Sequence, residues 1–499
     1  MYLQRRNLNK RTNPAWVAPR LFIAWAALLG VACHRPVGTP LARVRAQTAT
    51  GPLRVNPANP RYFTDASGKA IYLAGAHTWS NLLDRGTLSP PKAFDYAAYI
   101  GWMVSHNFNF ERLWTAELPN SGNTDDPYEC VVRLPWKWLR TGPGRANDGA
   151  PRFDFTQLDQ SYYERMRARI IAAGESGIYV SVMLFNGFEW QFETNPKDGN
   201  PFQNGNNING ISCPAKCPTD SSQMSTEVWT YEQAYIRRVV DTVNDLDNVL
   251  YEVSNEAGAP YSNSWQARVI EFVKRYEAAK PKQHPVGMTF QWKGGSDLTL
   301  YDSAADWVSP GARFAVGDGT KVIINDTDHS YPWPDMKHDG IAAQRAWVWK
   351  NFTLGNNVAF MDPYVVVWPG RNSPAGSTAD PRVGVRPDDY WDAIREAIGS
   401  TLTYANRMNL VAMTPRPSLS STHYCLAIRG AEYLVYQPFN EPFTLNLSAG
   451  AYHYEWFNPS TNRVCSSGTL LVSSGARSMS APFRGDAVIY LRAISFGGG

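Results

Sequence analysis

The chain has 499 residues, room for a barrel-sized unit and a smaller one, with 48 Lys+Arg against 44 Asp+Glu and 18 Trp beside 25 Tyr. Beyond the N-terminus its basic residues are scattered, so no phosphate-tracking surface is encoded and nucleic acid is not an expected partner. The aromatic content suits stacking on sugar faces and equally suits a large core.

Residues 1–50 read as a leader and linker. Arg5, Arg6, Lys10, Arg11 and Arg20 precede an apolar run from Leu21 to Ala32, the length of a signal-peptide core and short for a membrane span. Export is expected, to a secreted, periplasmic or lipid-anchored location, with no membrane insertion beyond such an anchor. Two exits compete: Gly30-Val31-Ala32-Cys33 resembles a bacterial lipoprotein box with Gly where Leu is usual, and Val44-Arg45-Ala46 offers a small-residue cleavage site. An uncleaved signal anchor is the third reading.

From about residue 60 to 410 helical and strand patterns alternate. The strand candidates are Ala70–Ala76, Phe108–Trp114, Gly177–Phe185, Asn248–Ser254, Pro285–Gln291, Asp306–Ser309, Lys321–Asn325 and Asn357–Met361. Helical patterns over Phe94–Ser105, Gln160–Gly174, Tyr231–Asp247, Ser264–Ala279, Ile341–Gly355 and Asp388–Arg407 alternate with them. Eight strands joined by crossovers, with no Gly-rich phosphate turn after the first, predict a closed (β/α)8 barrel over residues 51–412. An insertion from about Asn195 to Ser225 is expected as a long loop on the active-site face.

From about Pro415 short alternating strands take over, at Tyr424–Ile428, Tyr433–Gln437, Phe443–Leu447, Ala451–Phe457, Thr469–Val472 and Ala487–Leu491. They predict a small β-sandwich over residues 413–499, either polysaccharide-binding or a buttress for the barrel. Cys213 and Cys217 are placed to close a small disulfide, and Cys425 with Cys465 to close another, which leaves Cys33 and Cys130. Zinc at Cys213 and Cys217 is the weaker reading, because no second ligand pair with metal spacing lies nearby.

The carboxyl ends of barrel strands are where such folds keep their chemistry. Here they read His77-Thr78-Trp79, Arg112-Leu113-Trp114, Asn186-Gly187, Asn255-Glu256, Gln291-Trp292, Asn325-Asp326-Thr327-Asp328-His329 and Asp362-Pro363-Tyr364. One such polar residue is usually a cap or an outer hydrogen bond; seven in register define a shared polar cleft.

Asn-Glu at the end of strand four, Arg at the end of strand two and an acid at the end of strand seven resemble the retaining glycoside hydrolases of the cellulase-like (β/α)8 clan. Asn59-Pro60-Arg61-Tyr62-Phe63-Thr64-Asp65, Glu432–Tyr436, Trp456-Phe457-Asn458-Pro459 and Gly485-Asp486-Ala487-Val488 also resemble apiosidase-like glycosidases, whose barrel carries a C-terminal sandwich of the collagen-binding type. The resemblance implies carbohydrate as substrate and no cofactor.

Retaining glycosidases place two carboxyl groups about 5 Å apart, one protonating the leaving oxygen and one attacking the anomeric carbon. Glu256 is expected as acid/base, with Asn255 at the sugar 2-hydroxyl by family analogy; the bland reading of Glu256 is an anion welcomed by the next helix. Glu252 has the same strand parity and is expected deeper in the barrel. No Glu is available on strand seven, where relatives keep the nucleophile. Asp326 occupies the usual place, and Asp328, one step further out and paired to His329 or Arg112, is the runner-up.

His77, Trp79, Trp114 and Trp292 are expected as a sugar platform, Asn186 as a further substrate contact, and His329 as an orienting group. Two other classes stay open: a metal-dependent hydrolase built on Asp326, Asp328, His329 and His77, and a carbohydrate-binding barrel that has lost its nucleophile.

Overall fold

A computed structural model describes residues 38–42, 48–79, 81–86, 89–121, 131–191, 199–213, 216–364, 367–368, 371–372 and 388–494. The leader, Cys33, the site at Val44–Ala46, Cys130 and part of the loop from Asn195 lie outside those residues.

The eight expected strands all form and close into one parallel barrel. They are β1 (Ala74–His77), β2 (Phe110–Leu113), β3 (Tyr179–Asn186), β4 (Val249–Asn255), β5 (Val286–Thr289), β6 (Trp307–Ser309), β7 (Val322–Asp326) and β8 (Asn357–Met361). β8 pairs with β1, Val358 opposite Ala74 through Met361 opposite His77, which seals the cylinder. Flanking helices include Tyr96–Ser105, Gln160–Glu175, Thr226–Val243, Asn263–Glu277, Ile341–Thr353 and Asp392–Ala405, each burying one face. Several start at a short polar side chain that accepts from the first turn: Asp95 from Ala98, Asp159 from Ser161 and Ser225 from Val228.

The period-two alternation of a strand sorts the barrel interior into layers. Phe110, Leu250 and Ile324 pack in the lower interior with Tyr179, Trp307, Val322 and Ala359, closed from below by Leu53, Phe63 and Leu73. Two residues further along the same strands stand Arg112, Glu252 and Asp326. The apolar floor therefore carries a charged layer directly above it. Gly287 on β5 makes room for Trp307, whose ring lies 1.9 Å from where a Cβ would stand.

Two insertions rise from the carboxyl end of the barrel. The one after β2, not anticipated from the sequence, forms the hairpin Trp138–Arg145 with Pro151–Leu158. The expected one after β3 packs on it, through Phe153 N–H to Asn206 O at 2.9 Å and Ile208 N–H to Phe153 O at 2.9 Å. The Cys213–Cys217 disulfide forms in this second loop.

The C-terminal strands are β9 (Cys425–Ile428), β10 (Glu432–Gln437), β11 (Phe443–Leu447), β12 (Gly450–Asn458), β13 (Arg463–Val472), β14 (Gly475–Met479) and β15 (Ala487–Ala493). β13-β12-β15-β10-β9 form an antiparallel sheet, extended at its edges by Thr39–Pro40 and Thr414–Pro415. β11 and β14 pair separately and cover the apolar face that carries Tyr433, Val435, Ile489 and Leu491. The opposite face, with Leu434, Tyr436, Val488 and Tyr490, joins the core around the barrel helices. Trp349 of helix Ile341–Thr353 stands between Tyr404, Tyr436 and Phe457, with ring centroids 5.7–6.2 Å away. Arg345–Asp486 at 2.9 Å and Arg407–Glu455 at 3.1 Å flank this contact.

The Cys425–Cys465 disulfide is not made. Cys425 is a buried thiol on β9, while Cys465 lies on β13, four strands away in the same sheet. At about 4.8 Å per strand that spacing far exceeds the roughly 7 Å between Cα atoms that a disulfide tolerates.

Candidate active site

The charged layer is organised around Arg112. Its guanidinium binds Glu252 through two parallel bonds, Nε to Oε2 at 2.9 Å and Nη2 to Oε1 at 2.6 Å. The same Nη2 donates to Asn255 Oδ1 at 2.8 Å, and Nη1 donates to Asp326 Oδ2 at 3.0 Å and Asp328 Oδ2 at 3.2 Å. One cation from β2 thus gathers side chains from β4, from β7 and from the turn after β7. The planar fork with its five donors makes this an arginine position; an ammonium offers three donors and no fork.

Asp326 ends β7 and caps the one-turn helix Thr327–Ser330, accepting from Asp328 N–H at 2.9 Å. His77 Nε2 donates to it at 3.0 Å. His77 Nδ1 in turn accepts from Trp114 Nε1 at 2.7 Å. Burial alone would push the Asp326 carboxyl up, but His77 and Arg112 together hold it well below the usual carboxylate range. Its side chain is 1 % exposed and that of His77 0 %.

Asp328 differs. It is the second residue of the short helix, has 10 % of its side chain exposed, and receives only the Arg112 bond among the described residues, with His329 Nε2 at 3.8 Å. Burial pushes its carboxyl up against the pull of Arg112, and the charge on Asp326 pushes the same way.

Glu256 follows β4 in a left-handed backbone conformation, φ +42°, unusual for a residue with a Cβ and of the kind that clusters at functional sites. Glu252 and Asn255 both reach Arg112 although they stand three residues apart, so the alternation expected to run from Glu252 to Glu256 is already broken within β4, before that turn. Burial pushes the Glu256 carboxyl well above the usual range, and the charges of Asp328 and then Asp326 add to it. Among the described residues no donor reaches its carboxyl oxygens. Gln191, after β3, donates its side-chain amide to the Glu256 backbone carbonyl.

His329 lies at the edge of the cluster, its Nε2 3.2 Å from Asn255 Oδ1 and its Nδ1 2.8 Å from Ser309 Oγ. Burial drives it down to about 3, with Arg112 acting in the same sense, so it is a neutral orienting group. Asn255 Oδ1 thereby receives Arg112 and His329, and Asn255 Nδ2 points to Asn186 Oδ1 at 3.4 Å. Asn186 is fixed by its backbone N–H to Glu117 Oε1 at 2.9 Å, and Glu117 pairs with Lys137 at 2.6 Å. Neither Glu117 nor Lys137 was visible from the sequence, because both lie in the unanticipated insertion after β2.

The structure brings together His77, Arg112, Trp114, Asn186, Asn255, Asp326, Asp328 and His329, with Glu256 beside them. Trp79 and Trp292 stand apart, half-buried on the rim. The Arg85 guanidinium lies 5.2 Å from the Trp79 ring, and Phe188 lies 5.5 Å from the Trp292 ring. Trp114 and His77, expected on a sugar platform, are buried and address Asp326 instead: Trp114 donates to His77 and covers the Arg112 guanidinium at 5.2 Å. The cationic place among the carboxylates is taken by Arg112, and among the described residues no group of three His, Cys, Asp or Glu is arranged to hold a metal ion. Among those residues no helix is long and apolar enough to cross a membrane.

Fold and site together define a (β/α)8 barrel with a carboxylate cluster at the carboxyl ends of its strands, followed by antiparallel C-terminal sheets. Solved structures share the fold. One, described as a glycoside hydrolase, is 13% identical with a TM-score of 0.53, over 89% of this chain and 97% of its own. Another, a glycoside hydrolase family 5 protein from Bacteroides vulgatus ATCC 8482, is 12% identical with a TM-score of 0.56, over 90% of this chain and 95% of its own. At such identities the likeness is one of fold. No family model matches the sequence, and no curated protein matches it.

Proposed function

We propose that the chain is a retaining glycoside hydrolase in which Glu256 is the acid/base and Asp328 the nucleophile. The observation that carries this reading is the place of Asp328 beside Arg112: Arg112 donates to it at 3.2 Å at the carboxyl end of β7, it keeps 10 % of its side chain exposed, and after burial its charge acts most strongly on Glu256, which follows β4. Retention requires two such carboxyl groups about 5 Å apart. Burial and the neighbouring carboxylates favour the protonated form of Glu256, as an acid that protonates a leaving oxygen demands.

Asp328 is preferred to Asp326 on geometry. Asp326 already accepts from His77, Arg112 and the Asp328 amide and is nearly sealed, so attack would have to break those bonds. Asp328 stands two residues beyond the end of the strand, which offsets a side chain one methylene shorter than Glu. Asp326 then holds Arg112 and His77 in place. Asn255, its oxygen occupied, has one amide hydrogen beyond the contact to Asn186, in keeping with a donor to the 2-hydroxyl.

Export, with a disulfide in the loop after β3, accompanies this reading. The C-terminal sheets are read as the sandwich of apiosidase-like glycosidases, residues 413–499 buttressing the barrel of residues 51–412. Their shared core with the barrel helices supports the buttress role.

The test is a 2-fluoroglycoside panel followed by peptide mass spectrometry. Labelling of Asp328, with a loss of about 10⁴-fold or more in kcat for Asp328→Asn, supports the assignment. A label on Asp326 moves the nucleophile there, inverted product configuration removes retention, and an inactive wild type favours a carbohydrate-binding barrel.

A further inference from the structure

Arg112 and Trp114, the two β2 side chains that serve the carboxylates, stand where their strand loses its neighbour on one side. Toward β3 it is paired from Phe110 opposite Tyr179 to Leu113 opposite Val182, but toward β1 the register is a single pair, Gly75 opposite Phe110. Asn81, in the loop that follows β1, takes up the rest of that edge. Its Nδ2 donates to the Arg112 backbone carbonyl at 2.6 Å, and its Oδ1 accepts from the Trp114 backbone N–H at 2.8 Å. A carbonyl and the N–H two residues on are the pair that one residue of a parallel neighbour engages, so a side-chain amide here replaces a strand.

This amide has one orientation only. A backbone N–H can only donate and a carbonyl can only accept, which fixes Oδ1 on Trp114 and Nδ2 on Arg112. Nδ2 also donates to Glu111 Oε2 at 3.2 Å, Glu111 Oε1 accepts from the Tyr96 hydroxyl, and Arg169 donates to the Asn81 backbone carbonyl. Asn81 is fully buried.

We propose that Asn81 is a positioning residue of the active site, which by holding the Arg112 carbonyl and the Trp114 N–H sets the Arg112 guanidinium on Asp328 and the Trp114 indole on His77. The proposal rests on the hydrolase reading above, in which Asp328 attacks. Of the five bonds that the guanidinium makes to Glu252, Asn255, Asp326 and Asp328, the longest is the one to Asp328, at 3.2 Å. It is the first to be lost when the backbone of β2 shifts. The 2.7 Å bond from Trp114 to His77 depends on the same backbone.

Asn109, just ahead of β2 and three residues before Arg112, provides the control. It makes the same pattern on β1, accepting from the Ala74 N–H at 2.8 Å and donating to the Tyr72 carbonyl at 2.8 Å, at the end of the strand away from the carboxylates.

Kinetics across pH compare Asn81→Ala with Asn109→Ala on a glycoside that the parent cleaves. Both variants are expected to lose stability, but only Asn81→Ala is expected to lower kcat, by about tenfold to a hundredfold. Only Asn81→Ala is also expected to move the acidic limb of kcat/KM upward, by about half a pH unit or more. Asp328, faced by Arg112, Asp326, His77, His329 and Glu256, then loses the cation that favours its charged form. Equal effects of the two variants, or an unmoved limb, overturn the proposal. Asn81→Ser, shorter but with a hydroxyl, is measured in the same way if Asn81→Ala does not fold, and failure of both to fold assigns Asn81 to the fold alone and overturns it. A second arm needs no substrate: the indole N–H signal of Trp114, assigned by its absence in Trp114→Phe, is expected to shift in Asn81→Ala and to stay in Asn109→Ala. That outcome supports the proposal even if the parent cleaves no glycoside, a failure that counts against the hydrolase reading instead. An unshifted signal in Asn81→Ala overturns it.

Discussion

Trp114 donates its indole N–H to Nδ1 of His77 at 2.7 Å, and an indole nitrogen can only donate. The imidazole proton is therefore on Nε2, where it meets Asp326 at 3.0 Å. A buried tryptophan thus sets the tautomer that keeps a buried aspartate ionised, and that aspartate in turn anchors the amide of Asp328.

Removing the orienting bond without emptying the space tests this chain. Trp114→Phe is expected to lower kcat about tenfold with KM little changed, and to cost about 1 kcal/mol of stability, the net worth of one hydrogen bond. Steady-state kinetics with urea midpoints check both; an unchanged kcat removes the orienting role.

Glu256 makes a prediction with a definite sign. A carboxyl raised in the folded state contributes most favourably below its unfolded pKa, and that contribution is lost as pH rises through the raised folded value. Glu256→Gln is thus expected to abolish hydrolysis and yet melt higher than the parent at alkaline pH, by about 2 °C or more, with the gap closing toward pH 4. Melting curves across pH measure this, and a gap that does not depend on pH refutes it. For the same reason activity of the parent should fall as pH rises and Glu256 loses its proton.

Arg112 is the cation for a buried cluster. Arg112→Met leaves Glu252 and Asp326 uncompensated and is expected to cost about 3–5 kcal/mol in denaturant unfolding. Arg112→Lys keeps the charge but not the fork, so it should recover only part of that loss. A full recovery would show that charge alone, not the paired geometry, holds the layer.

Trp349 tests whether the C-terminal sheets are part of the fold. It packs against Tyr404, Tyr436 and Phe457, and Trp349→Ala is expected to destabilise by about 3–5 kcal/mol in a single transition. A chain ending at residue 412 should then fail to give a cooperative barrel, since one face of the β10/β15 sheet closes the core around helices Ile341–Thr353 and Asp392–Ala405. Two separate transitions in the intact protein would instead mark independent domains.

The eight barrel strands and their order were legible because each buried strand announces itself through a short apolar run with turn residues at its ends. The polar strand ends were legible for a related reason: Arg112, Glu252 and Asp326 each follow an interior apolar residue by two positions. The hairpin at Trp138–Arg145 was not, since Gly142, Pro143 and Gly144 break its pattern and its partners come from the loop after β3. Strand β14, Gly-Ala-Arg-Ser-Met, has too little apolar character to stand out; its pairing with β11 provides what its composition lacks.

The sequence by itself determined the barrel and which polar residues stand at the carboxyl ends of its strands, Glu256 among them, because period and strand ends are local properties. Only the tertiary structure decided how the two strand-seven aspartates differ. They sit two residues apart with the same side chain, and what separates them is which donors barrel closure brings: His77 from β1 and Arg112 from β2 saturate Asp326, and among the described residues Arg112 alone donates to Asp328. Likewise Trp114 and Trp292 are the same residue at two strand ends, and only packing puts one under the carboxylates and leaves the other on the rim.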